Sequence, residues 1–170
     1  CLMGSGNWNE PDSPAHMAAF SKEQLGWLHY FNVTTDIDDL CLPPVETDPV
    51  AIRFWTDGAL STEYFIAENR QQIGFDAHLN GTGLVIYQVD EDVYSSRLLS
   101  NTVNAEETHK ALDVECADAT SAGHTSNADD LDSTSNRGDS GDVWCPSTQD
   151  TFDGSTIPDT RAYSGAATGV

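Results

Sequence analysis

The residues best supplied with chemistry in this chain are its acids. Asp129-Asp130-Leu131-Asp132, followed by Asp139 and Asp142 around the glycine-punctuated turn Gly138 to Asp142, puts several hard oxygen donors into one flexible loop. Such a loop can wrap a calcium ion, and Asp130, Asp132, Asp139 and Asp142 are the ligands expected. The spacing and closing glutamate of an EF-hand are missing, so a solvated acidic loop is the competing reading. Histidine chemistry is thinner. His16, His29, His78, His109 and His124 are scattered with no pair four apart, so the chain has no helical H-E-x-x-H to seat a catalytic zinc. Each is expected to be a hydrogen-bonded or surface histidine. Glu63, Glu68 and Asp76 could be taken for acid/base groups, yet beside Arg70 and Gln71 they are expected to form a structural polar network. No glycine-rich phosphate loop, serine-triad signature or basic aromatic patch occurs.

The cysteines Cys1, Cys41, Cys116 and Cys145 include no C-x-x-C pair, which points to disulfides and an oxidising, extracellular setting and not to a metal knuckle. Several pairings are open; nearness in sequence favours Cys1 with Cys41 and Cys116 with Cys145. The 170 residues carry 28 acids against 7 basic residues, a formal charge of -21. That charge opposes nucleic acid and anionic membrane surfaces as partners, and it would suit a saline medium that screens self-repulsion. No apolar stretch reaches membrane-spanning length. Asn32-Val33-Thr34 and Asn80-Gly81-Thr82 match the short glycosylation acceptor pattern.

The elements that must position these groups change character along the chain. Ser13-Pro14 predicts a helix start and Gly26 a left-handed stop, giving a helix from about Pro14 to Leu25. An apolar cluster of Trp27, Leu28, Tyr30, Phe31 and Val33 follows, and Pro43-Pro44 marks a boundary between a unit over 1–43 and a β-rich module over 44–170. Strands are predicted for Val50 to Trp55, Glu63 to Glu68 and Gly83 to Val89, the last apolar on both faces and so central; Ala111 to Glu115 is a further candidate. From Ala117 to Asp142 there is too little apolar surface to bury, so that stretch must be loop.

Several motifs in series carry a resemblance. Cys1-Leu2-Met3-Gly4-Ser5-Gly6-Asn7-Trp8 looks like a methionine turn. It is followed by Pro14-Ala15-His16-Met17, Phe20-Ser21-Lys22 and Leu25-Gly26-Trp27, then by Glu63 through Gln71, Gly74-Phe75-Asp76, Gly81 through Tyr87 with Val89-Asp90, Gly138 through Asp142, and Tyr163-Ser164-Gly165. In this order they resemble the immune inhibitor A family of secreted zinc metallopeptidases, downstream of its active-site helix, over nearly the whole chain. Departures are Gln88, where the family often has histidine, and Cys116, in a stretch usually free of cysteine.

The resemblance implies an α+β fold: the C-terminal remnant of a metzincin-like zinc peptidase domain, with methionine turn and helix, followed by a β-rich module with long acidic loops and truncated at its end. Met3 would be the hydrophobic base under the zinc site, and Gly4, Ser5 and Gly6 a wall of the substrate pocket. The zinc ligands and the catalytic glutamate would lie upstream of Cys1, so the chain alone is expected to be inactive while its parent hydrolyses protein or peptide substrates. An upstream peptidase fragment would then be a partner. The alternative is a non-catalytic, calcium-stabilised binding or adhesion module of an extracellular protein.

Overall fold

The computed structural model describes residues 10–55, 61–119 and 138–166. Cys1, Met3, Gly4, Ser5, Gly6, His124, Asp130 and Asp132 lie outside the described residues. The fold is α+β, a mixed five-stranded sheet with few helices; neither a metzincin arrangement nor a methionine turn is part of what is described. In chain order the elements are α1 (Ala19–Gln24), β1 (His29–Val33), β2 (Val50–Phe54), β3 (Glu63–Arg70), a 3-10 turn (Gly74–His78), β4 (Gly83–Asp90), α2 (Glu91–Arg97), a second 3-10 turn (Leu98–Ser100) and β5 (Leu112–Glu115).

The strands stand in sequence order across the sheet. β1 runs parallel to β2, with His29 opposite Val50 and Val33 opposite Phe54. The remaining neighbours are antiparallel, and β3 pairs with β4 along its full length, from Glu63 opposite Asp90 to Arg70 opposite Gly83. β3 is buried on both faces, and the period of two along a strand distributes its side chains between two cores. Tyr64 and Ile66 join Ala51, Tyr87, Val89, Phe20 and Leu28 on one face. Phe65 and Ala67 join Ile86, Ala117 and Trp144 on the other, where Phe65 packs against Phe54, Trp55 and Phe152. Arg53 of β2 lies over the rings of Tyr30 and Tyr64, at 5.4 and 5.1 Å from their centroids, and so ties three adjacent strands together.

The expected boundary at Pro43-Pro44 is crossed by this architecture. β1 lies before it and pairs with β2 after it, and the first core draws on both sides. Pro44 bridges to Asn69 of β3, whose side-chain amide donates to the Leu42 carbonyl at 2.8 Å.

The helix expected from Pro14 begins instead at Ala19. Ser13 does not cap it, because its hydroxyl donates to the carbonyl of Phe75 at 3.2 Å. The next backbone groups are also taken by side chains: Arg70 donates to the carbonyls of His16 (3.2 Å) and Met17 (3.3 Å), and the His16 amide donates to Asp76 Oδ1 at 2.7 Å. A segment whose polar backbone groups are satisfied from outside has no call on helical hydrogen bonds. Gly26 does stop the helix, at φ +71°.

The two sheet margins differ. Along β5, the Asn104 side chain donates to the Leu112 carbonyl at 2.7 Å and accepts from the amides of Ala111 (3.0 Å) and Leu112 (3.1 Å). Trp144 Nε1 closes the end of β5 on the Glu115 carbonyl at 2.6 Å. β1 ends the other side, with no further strand beside it among the described residues. At the start of β4 the Trp144 backbone exchanges hydrogen bonds with Leu84. A Cβ on Gly83 would come within 2.6 Å of the Trp144 carbonyl oxygen, so that approach requires glycine.

Candidate functional site

Charge is concentrated inside the protein where β3 ends. Arg70 is buried and meets three acids: Asp76 Oδ2 at 2.8 Å, Glu68 Oε1 at 3.2 Å and Glu46 Oε1 at 3.7 Å. Tyr87 donates its hydroxyl to the same Glu68 oxygen at 2.7 Å, and the Gln71 amide donates to Glu46 Oε1 at 3.0 Å. Burial alone would lower the arginine pKa, but Glu68, Tyr87 and Asp76 outweigh it and hold the guanidinium above its ordinary value. Burial, and then a side-chain hydrogen bond with Asp76, push Glu46 up. Glu46 therefore holds its proton to higher pH than a free glutamate does. Lys22 Nζ is buried near this network with no hydrogen-bond partner among the described residues, and burial lowers its pKa against the opposing pull of Glu68.

Glu68 and Asp76 thus occupy the structural network expected of them and do not face each other across a cleft. Glu63 is structural too, accepting from Gln88 Nε2 and from the Tyr163 amide, both at 2.7 Å. Glu46 and Lys22 were not foreseen in the network. Glu46 stands beside an apolar valine in a Pro-rich turn, and only the fold brings it under Arg70.

In front of the network lies a cavity of about 250 Å³ with an almost wholly apolar surface, lined by Pro14 to Met17, Lys22, Trp27 and Phe75. The rings of His16 and Phe75 meet edge to face, with centroids 5.9 Å apart and planes at 70°. Burial, and then the Lys22 charge, lower the His16 pKa, so the imidazole is neutral at pH 7.

The acidic loop contributes a second cluster. Asp118, Asp139 and Asp142 each present a carboxylate oxygen within 4.8 Å of the others. The turn is drawn together by the Asp139 amide donating to Asp142 Oδ2 and the Gly141 amide donating to Asp139 Oδ1, both at 2.6 Å. A Cβ on Gly141 would lie 2.0 Å from Asp118 Oδ2, so the glycine leaves room for that carboxylate. Of the expected calcium ligands, Asp139 and Asp142 come together, whereas Asp130 and Asp132 lie outside the described residues. Asp118 was missed, though its place at the start of the polar stretch after Cys116 was the available signal. Three hard oxygen donors suit calcium and do not suit a catalytic zinc; among the described residues nothing fits that metal, and no step through it follows from this chain.

No disulfide joins the described cysteines. Cys41 is exposed, Cys116 buried and Cys145 half-buried, so the expected Cys116–Cys145 bridge is not formed, and the Cys1 partner of Cys41 lies outside the described residues. The sulfur of Cys145 turns instead to the hydroxyls of its own turn, Ser147 at 3.1 Å and Thr148 at 3.4 Å, which hold its thiol down at about 7. His109 has a structural setting, with Nε2 2.8 Å from Asp90 Oδ2 and its ring 4.3 Å from that of Tyr163, while Asp90 Oδ1 caps α2 by accepting from the Val93 amide. No helix is long and apolar enough to cross a membrane among the described residues. No protein-family model, no curated protein and no solved structure matches the chain.

Proposed function

We propose that this chain is the portion of a secreted zinc endopeptidase, resembling immune inhibitor A, that follows the H-E-x-x-H helix. The observation that supports this reading is the convergence of motif segments far apart in sequence. His16 and Met17, the stretch Glu63 to Gln71, and Gly74-Phe75-Asp76 meet through one set of contacts: Arg70 to Glu68, Asp76 and the carbonyls of His16 and Met17, and Asp76 to the His16 amide. Likewise Glu63 and Tyr163, from the first and last of the later motifs, are joined by a hydrogen bond. Segments that resemble the family's motifs in order are here also in contact with one another, which is what the reading requires of them.

In this reading the chain supplies framework, and the chemistry belongs to residues encoded upstream. The encoded sequence preceding Cys1 is the decisive test: an intact H-E-x-x-H supports the peptidase, and its absence defeats it. Purified 170-residue chain with added zinc is expected to show no proteolysis, and chelator-sensitive cleavage by it would contradict the division of labour proposed.

A second reading, a calcium-stabilised extracellular binding module without catalysis, is favoured by the approach of Asp118, Asp139 and Asp142. Decay of the upstream zinc motif, together with a specific stabilisation by calcium, would select it.

A further inference from the structure

We propose that the cavity between Pro14 and Phe75 is a binding site for a small, soluble quaternary ammonium compound, held by aromatic faces. Its walls are of the right kind. Trp27, Phe75 and His16 supply three π systems, and the perpendicular setting of His16 against Phe75 makes two adjoining walls of a cage. Met17 adds a polarisable thioether and Pro14 and Ala15 a small apolar rim. An aromatic-lined cavity attracts an alkylated cation because the ring faces are negative while the methyl groups are apolar, and indole is the strongest such partner. Trp27 and Phe75 are 63% and 57% exposed, so large aromatic surface remains available to a ligand.

Charge favours the same occupant. The chain carries -21, so its field concentrates cations at the surface and repels carboxylates and phosphates. Behind the cavity stand three acids, Glu46, Glu68 and Asp76, with Arg70 between them. Lys22 is the one cation in the lining; its amine is buried, which weakens its hold on its proton, and the charges of Glu68, Asp76 and Glu46 oppose it. An anionic ligand would find no hydrogen-bond donor on such a surface. A neutral apolar ligand would gain nothing from the charge.

His16 gives the site a pH sense. The groups acting on it are Lys22, Asp76, Arg70 and Glu68, and its pKa is lowered from 6.5. At pH 8 the imidazole is neutral and its face can receive a cation; well below its lowered pKa it is itself a cation and repels the ligand.

The test is calorimetric titration of the 170-residue chain with choline chloride at pH 8, against 3,3-dimethylbutan-1-ol, which has the same shape without the charge, at matched ionic strength. Choline is expected to bind about two- to fivefold tighter than the alcohol, the ratio one exposed cation–π contact supplies. Trp27→Leu and Phe75→Leu, both at exposed positions, should each remove most of that preference without lowering the melting temperature, and choline binding should weaken as the pH falls through the His16 transition, followed by its imidazole NMR signals. Equal affinity for the two compounds, no binding of either, or choline binding untouched by both variants would overturn the proposal. So would attachment to phosphatidylcholine vesicles without binding of free choline, which would assign the site to a membrane surface. None of these outcomes depends on whether a zinc motif lies upstream.

Discussion

Arg70 is the side chain on which the interior charge balance depends. Replacing it with methionine would leave Glu46, Glu68 and Asp76 facing one another with no guanidinium between them, and would return the carbonyls of His16 and Met17 to an unsatisfied state. A buried charge deprived of its partner typically costs about 3–5 kcal/mol. Arg70→Met is therefore expected to lower unfolding free energy by about that much, measured by urea titration, and a loss below about 1 kcal/mol would show that the acids simply take up protons. Glu46 allows a finer test. Its folded pKa lies above its unfolded value, so its contribution is fully present below the unfolded pKa and is lost as pH rises through the folded one. Glutamine copies the protonated acid, accepting from the Gln71 amide while donating toward Asp76. Urea titrations at pH 5 and pH 8 should show wild type losing more stability over that interval than Glu46→Gln; equal losses would remove Glu46 from the pH dependence.

Among the elements, β3 does the most to hold the fold, because it feeds both cores. Phe65 has no solvent exposure and touches three other aromatic rings, so truncation leaves a large hole that rigid neighbours cannot close. Phe65→Ala is expected to cost about 3–5 kcal/mol in the same denaturant experiment, and a cost below about 1 kcal/mol would mean that the second core is loosely packed.

The strands that were legible in the sequence are those with dense β-branched and aromatic runs. The expected Val50 to Trp55, Glu63 to Glu68, Gly83 to Val89 and Ala111 to Glu115 lie within one or two residues of β2, β3, β4 and β5. β1 was not legible as a strand, because Tyr30, Phe31 and Val33 show no clean alternation and the strand is half-exposed at the sheet margin. The early start expected for α1 failed for the same kind of reason: Ser13 and Pro14 carry a valid local signal, and contacts from Arg70 and Asp76, over fifty residues away, override it. The cap of α2 was legible and overlooked, since Asp90 followed by Glu91 and Asp92 is an ordinary helix start.

For the molecule as a whole, a charge of -21 means that any salt stabilises by screening, so only a difference between salts is informative. Calcium is expected to raise the melting temperature beyond sodium at matched ionic strength, because an ion bound only by the folded state adds its binding free energy. Gly141→Ala should abolish that excess, since its Cβ would displace the Asp118 carboxylate while leaving the strands untouched. Equal stabilisation by both salts would reduce the three aspartates to a solvated surface. Of this cluster the sequence disclosed Asp139 and Asp142, which share one short turn; Asp118 is brought to them by the fold, where the neighbouring Ala117 amide donates to the Asp142 carbonyl. The interior network was half legible in the same way, with Glu68, Arg70 and Asp76 close in sequence and Glu46 and Lys22 supplied by the fold.

The unequal margins of the sheet give the protein a polarity in how it meets its own copies. On the β5 side Asn104 occupies the Leu112 amide and carbonyl that another chain would need, which hinders the addition of a strand there. β1 has no further strand beside it among the described residues, and an unpaired strand margin is a template for further strand pairing. In dilute buffer, repulsion between molecules of charge -21 opposes the meeting of two β1 margins, a barrier to encounter and not a property of the margin itself. That barrier vanishes near the isoelectric point of about 4.1. Acidification is therefore expected to bring self-association, measured by light scattering, with β1 the margin among the described strands on which it would begin.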